Sequence, residues 1–179
     1  KDADFEDSVF WVLANAIVIN GADIQSNDQL GRHLAFGMGF MVVDQISDEE
    51  SPEGLSTGFG NVLERHIAGT PSITLAPDSG ETDDEINNWD LYVRDQLATR
   101  KLDEINKVCR YTVSHMQHRH YAISWSLTED LVKDPLEFYS FLKKTDENED
   151  APREQLLAEA YDIDIKGMHQ RWMKTITLK

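Results

Sequence analysis

The chain has one cysteine, five prolines and few basic residues, and each scarcity excludes something. A lone thiol, Cys109, rules out a disulfide within the chain. No stretch approaches the ~20 consecutive apolar residues of a membrane-spanning helix, and the nearest, 9–19, carries Asn15 inside it. Basic residues number 17 against 33 acidic, a formal charge of −16. Phosphate backbones are held by clustered Lys and Arg, so nucleic acid is excluded as the main ligand. No phosphate-binding loop, nucleophile elbow or dinucleotide fingerprint is present. No signal segment is visible. The chain opens on Lys1, as a processed product or a piece of a longer chain does, so a removed signal would leave no trace.

What is present is enough apolar residue, 40% of 179, for one domain spanning 1–179, with sub-lobes 1–84 and 85–179 as the natural division if there is one. The acidic residues bunch at 48–50, 78–85 and 146–150. None has the alternating ligand pattern of a calcium-binding EF-hand loop, and solvated loops account for them.

Periodicity predicts an all-α, compact multi-helix domain with little or no β structure. Residues 5–20 are apolar on nearly every side and read as a central buried helix, with a short strand left open at Ile17-Val18-Ile19. A second helix over 26–47 starts at Ser26 or Asn27 and turns Leu30, Leu34, Gly37, Phe40 and Met41 to the core. Gly37 and Gly39 inside it cost about 1 kcal/mol each against Ala, which implies that another backbone passes close by. A third helix over 54–68 buries Leu55, Phe59, Val62, Leu63 and Ile67 and closes at Gly69. After a loop over 70–84, helices follow over 87–98, 102–114, 118–133, 135–144, 152–161 and 165–175. Pro135 and Pro152 suit first turns. Trp11, Trp89, Trp125 and Trp172 read as core anchors.

Two groups of residues could carry chemistry on composition alone. His115, His118 and His120, with a nearby carboxylate, could bind a transition metal, and His115 and His118 would share a face if helical. The same residues, with Arg119 among them, equally fit a polar helix start. Cys109 has apolar neighbours at helical spacing and reads as a packing thiol, since a nucleophile needs a base beside it. His33, alone on an apolar stripe, fits a core histidine.

A third group resembles a family. Leu55-Ser56-Thr57-Gly58-Phe59-Gly60 is similar to the W-L-S-E-G-F-A phrase of gluzincin zinc peptidases, with Thr57 where the ligand Glu belongs. His33 lies upstream at about the gluzincin distance from first His to third ligand. In that alignment Leu34 replaces the general-base Glu of HExxH and Gly37 its second His. In an alternative alignment His33-Leu34-Ala35-Phe36 matches the Q-L-A-F phrase that follows the motif in some peptidase-MA-like families, and Asp28, Gln29 and Arg32 take the motif positions. Tyr121 to Leu127, Pro135 to Leu142 and the Arg171-Trp172 pair resemble the later helices of those proteins. Zinc catalysis needs three protein ligands and an open position for water, with a carboxylate as base. Both alignments lose that set. The resemblance therefore implies a non-catalytic, pseudopeptidase-like helical domain without a metal or other cofactor, exported from the cytoplasm as related peptidases often are. Its vestigial cleft, between the helices that begin near Ser26 and Gly54, would hold Asp28, Arg32, His33, Gly37 and Thr57 and receive a protein or peptide partner. A hydrolase or metal-binding protein using Asp28, His33 or the His115 cluster is the other reading.

Overall fold

A computed structural model describes residues 10–13, 16–19, 24, 26–47, 52–69, 88–148 and 150–178. Among them are a β-hairpin and eight α-helices: β1 (Phe10–Leu13), β2 (Ala16–Ile19), α1 (Asn27–Ile46), α2 (Glu53–Ala68), α3 (Trp89–Ala98), α4 (Ile105–Val108), α5 (His118–Leu131), α6 (Pro135–Glu147), α7 (Arg153–Tyr161) and α8 (Ile165–Leu178). The all-α expectation holds apart from the hairpin.

The hairpin corrects the helix expected over 5–20. β1 and β2 pair antiparallel, Phe10 opposite Ile19 and Leu13 opposite Ala16. An all-round apolar segment does not distinguish a buried helix from a buried strand. Aromatic residues and the β-branched Val12, Ile17, Val18 and Ile19 crowd a helical turn but fit a pleat. The Trp11 side chain, the expected loop over 70–84 and the first two acidic runs lie outside the described residues.

α1 begins where expected because the Ser26 hydroxyl accepts the Gln29 N–H at 3.1 Å, replacing a bond the first turn cannot make internally. It ends at Ser47, whose hydroxyl donates to the Val43 carbonyl at 2.8 Å. α2 closes on Gly69 at φ +82°, a left-handed conformation that glycine adopts without strain. These two helices, joined by a short link, pack antiparallel and meet backbone to backbone at Gly39 and Gly60. A Cβ placed on Gly39 would lie 2.8 Å from the Gly60 Cα, and one on Gly60 would lie 2.8 Å from the Phe36 carbonyl oxygen. α2 repeats the device toward α5, where a Cβ on Gly58 would sit 2.6 Å from the Ser124 carbonyl oxygen.

This close packing corrects the expected buried faces. On α1 the residues turned inward are His33, Ala35, Phe36, Gly37, Gly39 and Val43; Leu30 and Leu34 face water. On α2 Leu55 is buried as expected, together with Ser56, Thr57, Asn61 and Glu64, while Ile67 is exposed. The backbone contact at Gly39 and Gly60 sets which residues turn inward, and the Phe36 ring packs against Gly60.

The remaining helices wrap α5. Tyr121, Ile123, Trp125, Leu127 and Leu131 are all sealed from solvent. Trp89 of α3 meets Trp125 edge-on at 5.7 Å, and Arg65 lies over the Trp125 ring while pairing with Asp90 at 2.7 Å. Trp172 of α8 donates its indole N–H to Ser126 at 3.1 Å. Beside it the nearly buried Asp130 carboxylate accepts from Arg171 at 3.0 Å and from Thr175 at 2.7 Å. Lys133 reaches the same carboxylate at 3.1 Å, so two cations and a hydroxyl hold the one charge that joins α5 to α8. The Arg171-Trp172 pair is therefore the fastener of α8.

The helix expected over 102–114 is cut short to α4, followed by a single 3-10 turn, Val113–His115. Long-range partners outcompete the helix here. Tyr111 donates to the Asp103 carboxylate at 2.5 Å, and the Val113 N–H is given to the Glu53 carboxylate at 2.5 Å. Elsewhere the expected helices are present, with Pro135 in the first turn of α6 and Pro152 just ahead of α7.

Glycine substitutions separate close approach from helix propensity. We expect Gly39→Ala to lower unfolding free energy by about 1–3 kcal/mol, since a backbone must move. Gly31→Ala, on the same helix with no atom near the new methyl, should raise it by up to about 1 kcal/mol. Urea unfolding of the two variants measures this, and equal effects would refute the contact.

Candidate functional site

The motif positions of the peptidase resemblance all lie on α1 and α2, so the crossing of these helices decides what they can do. Asp28 and Arg32 stand on the first turns of α1 and pair with each other at 3.0 Å, Asp28 being 71% exposed. An exposed i,i+4 pair of this kind contributes about 0.3–0.5 kcal/mol and leaves neither group poised for chemistry. His33 is buried, and burial lowers its pKa from 6.5, since charging it there means losing water. Gly37 is buried in the inner face of α1, and Thr57 is fully enclosed in α2.

The crossing does not bring His33 and Thr57 together. His33 precedes Gly39 by six residues and Thr57 precedes Gly60 by three. In antiparallel helices those steps run in opposite directions, so about 13 Å along the axes separates the two side chains at 1.5 Å per residue. Leu34, in the place of the general base, faces outward at 40% exposure.

Apart from Thr57, sequence reasoning assigned no site role to the polar side chains that are buried here. Thr57, Asn61 and Glu64 fall on one side of α2 by helical spacing, and all three are sealed from solvent. On α5, Tyr121, Ser124 and Thr128 share a face in the same way and are also buried. Among the described residues, the Thr57, Ser124, Thr128 and Tyr121 hydroxyls and the Asn61 amide have no hydrogen-bond partner. A buried polar group without a partner costs about 1–3 kcal/mol, which is why interiors usually exclude it. The signal was available in the four-residue spacing of Gly54 with Gly58 and of Ser124 with Thr128. Small residues at that interval mark helices that approach closely.

The histidine cluster is divided between the 3-10 turn and the first turn of α5. His115 lies in the 3-10 turn, exposed, its Nδ1 2.8 Å from the Thr112 hydroxyl. His118 and His120 belong to α5 and are buried. His120 Nδ1 accepts the Gln117 N–H at 2.8 Å, closing the start of α5, and its ring stacks on Tyr111 at 4.6 Å. Among the described residues, no three His, Cys, Asp or Glu side chains gather to hold a metal ion. Cys109 is a buried packing thiol whose pKa is pushed up to about 12, mainly by burial.

Concave surface among the described residues lies elsewhere. An apolar groove of about 330 Å³ runs between α1, α2 and α6, lined by Val42, Ile46, Phe59, Phe138, Tyr139 and Leu142 among others. It contains no acid, base or nucleophile suited to hydrolysis. Among the described residues no helix is long and apolar enough to cross a membrane. Comparison with protein-family models, with curated proteins and with solved structures finds no match to this chain.

The buried His33 has a consequence for acid stability. Its folded pKa lies below 6.5, so the unfolded chain binds the proton more readily and stability falls as pH drops through that value. Above it the penalty vanishes. We expect wild-type unfolding free energy to decline between about pH 8 and about pH 5 more steeply than that of His33→Gln. Parallel pH profiles for the two proteins would rule this out.

Proposed function

We propose that this chain is a non-catalytic helical domain with a binding or structural role, built on a gluzincin-like pair of helices whose zinc ligands are replaced. The observation that supports it best is the glycine contact of α1 and α2. A peptidase keeps a water-filled cleft over the motif helix, with three ligands converging on one open position. Here the corresponding positions are a buried His33 and Thr57 set apart along the helices, an outward Leu34 and an Asp28–Arg32 pair spent on itself. A leucine cannot accept a proton from water, and a threonine hydroxyl is a poor replacement for a carboxylate ligand. In either alignment of the motif, the chemistry lacks both its metal and its base.

The hydrolase reading needs Asp28, His33 or the His115 group in one hollow. Asp28 is at the exposed start of α1, His33 is inside, and His115 stands beside the segment that binds Glu53 at the opposite end of α2. No observation favours that reading over the binding role.

Metal analysis with a peptide-hydrolysis assay tests the proposal. Purified protein is expected to hold less than about one tenth of an equivalent of zinc after exposure to it, against a full equivalent in an assembled three-ligand site. Cleavage of a mixed peptide library should stay at background with or without chelator. Stoichiometric zinc together with chelator-sensitive cleavage would overturn it.

A further inference from the structure

A helix that is apolar all round belongs in an interior. α1 is such a helix: from 29 to 43 its only Lys, Arg, Asp or Glu is Arg32, which is paired with Asp28. Yet one side of it is open. Leu30, Leu34, Met38 and Val42 stand in a row at four-residue steps, 36%, 40%, 56% and 44% exposed. At the C-terminal end the row runs through Val42 into the apolar groove, and Tyr139 on the far wall of that groove is 51% exposed. The surface is continuous, elongated and without a carboxylate of its own.

We propose that a second copy of this chain covers the outer face of α1, so that the domain is a twofold dimer; the proposal rests on the binding role above and supplies its partner. Three features select this occupant. The row follows the four-residue ridge of a helix, and two such ridges interlock in the commonest class of helix packing. A twofold axis between Leu34 and Met38 sets each of these against the other in the second copy. It also sets Leu30 against Val42 at the mouth of the groove. The surface is therefore complementary to itself, as a twofold interface must be.

Charge points the same way. The chain carries −16 overall, but a basic peptide would find no unpaired carboxylate on α1 from 29 to 43. A second copy needs none, since the same face of that copy is equally without a carboxylate from 29 to 43. Area is the third feature. The five exposed side chains offer on the order of 500 Å², and the half-buried Met41 and Ile46 beside them extend the face toward the ~800 Å² per partner of a stable interface.

Sedimentation velocity across a concentration series tests this. The chain should dimerise with a Kd in the range of about 1–100 µM, as modest interfaces do. Met38→Glu should weaken association at least about tenfold while its thermal transition, measured on monomer, stays that of wild type. Leu91→Glu, on the equally exposed apolar surface of α3, should leave association unchanged. A Met38→Cys protein should crosslink to dimer with a short bifunctional maleimide, the native Cys109 being buried. A chain that remains monomeric to about 100 µM overturns the proposal, and so does a dimer indifferent to Met38→Glu. Binding of an apolar ligand or another peptide to such a monomer would assign the face to that occupant instead. Zinc content separates the two hypotheses: a zinc-free monomer overturns the dimer alone, whereas a zinc-loaded peptidase overturns the binding role at any oligomeric state.

Discussion

The contact of Gly39 with Gly60, backbone against backbone, is the constraint from which the rest of the arrangement follows. Because the two backbones touch there, the inner faces of α1 and α2 combine glycine, alanine and polar residues with Phe36, Val43 and Leu55, and the Phe36 ring lies on Gly60. α2 is pressed against α5 in the same way at Gly58. Three helices are thereby locked at short range, and dispersion contacts along their backbones take the place of an interdigitated apolar layer. The bulky apolar core is shifted to the far side of α5, where Trp125, Trp172, Phe141 and Leu157 are fully enclosed.

Two consequences shape function. Thr57, Asn61 and Glu64 on α2 are enclosed rather than open to solvent. The apolar residues that α1 cannot place inside stand on its outer face. The same packing decision thus encloses polar side chains and leaves an apolar row in contact with water. The α8 fastener, Arg171 and Thr175 on Asp130 with Trp172 on Ser126, holds the opposite side of α5 independently of that surface.

Element boundaries were legible in the sequence wherever a local device sets them. Ser26 caps α1, Gly69 ends α2, and Pro135 and Pro152 sit at the starts of α6 and α7. Gly39 announced a close backbone. What was not legible depends on the partner rather than on the segment. The hairpin at 10–19 has the same apolar content as a buried helix. The inner faces of α1 and α2 are chosen by the glycine contact, which hydrophobic periodicity counts against burial. The helix expected over 102–114 ends early because Asp103 and Glu53 capture its hydrogen-bonding groups. His115 falls in the 3-10 turn and His118 in the first turn of α5, so spacing alone could not tell a metal cluster from a helix start. Asn61 and Glu64 escaped notice because a polar residue on a helix is ordinarily read as its wet side.

Native-state hydrogen exchange, followed amide by amide in denaturant too dilute to unfold the chain, tests the central role of α2 most directly. If α2 is the enclosed centre, its amides from Gly54 to Glu64 exchange only through global unfolding and rank, with those of α5, as the slowest in the chain. Exchange of α2 through local opening, while α6 to α8 stay protected, would contradict the account.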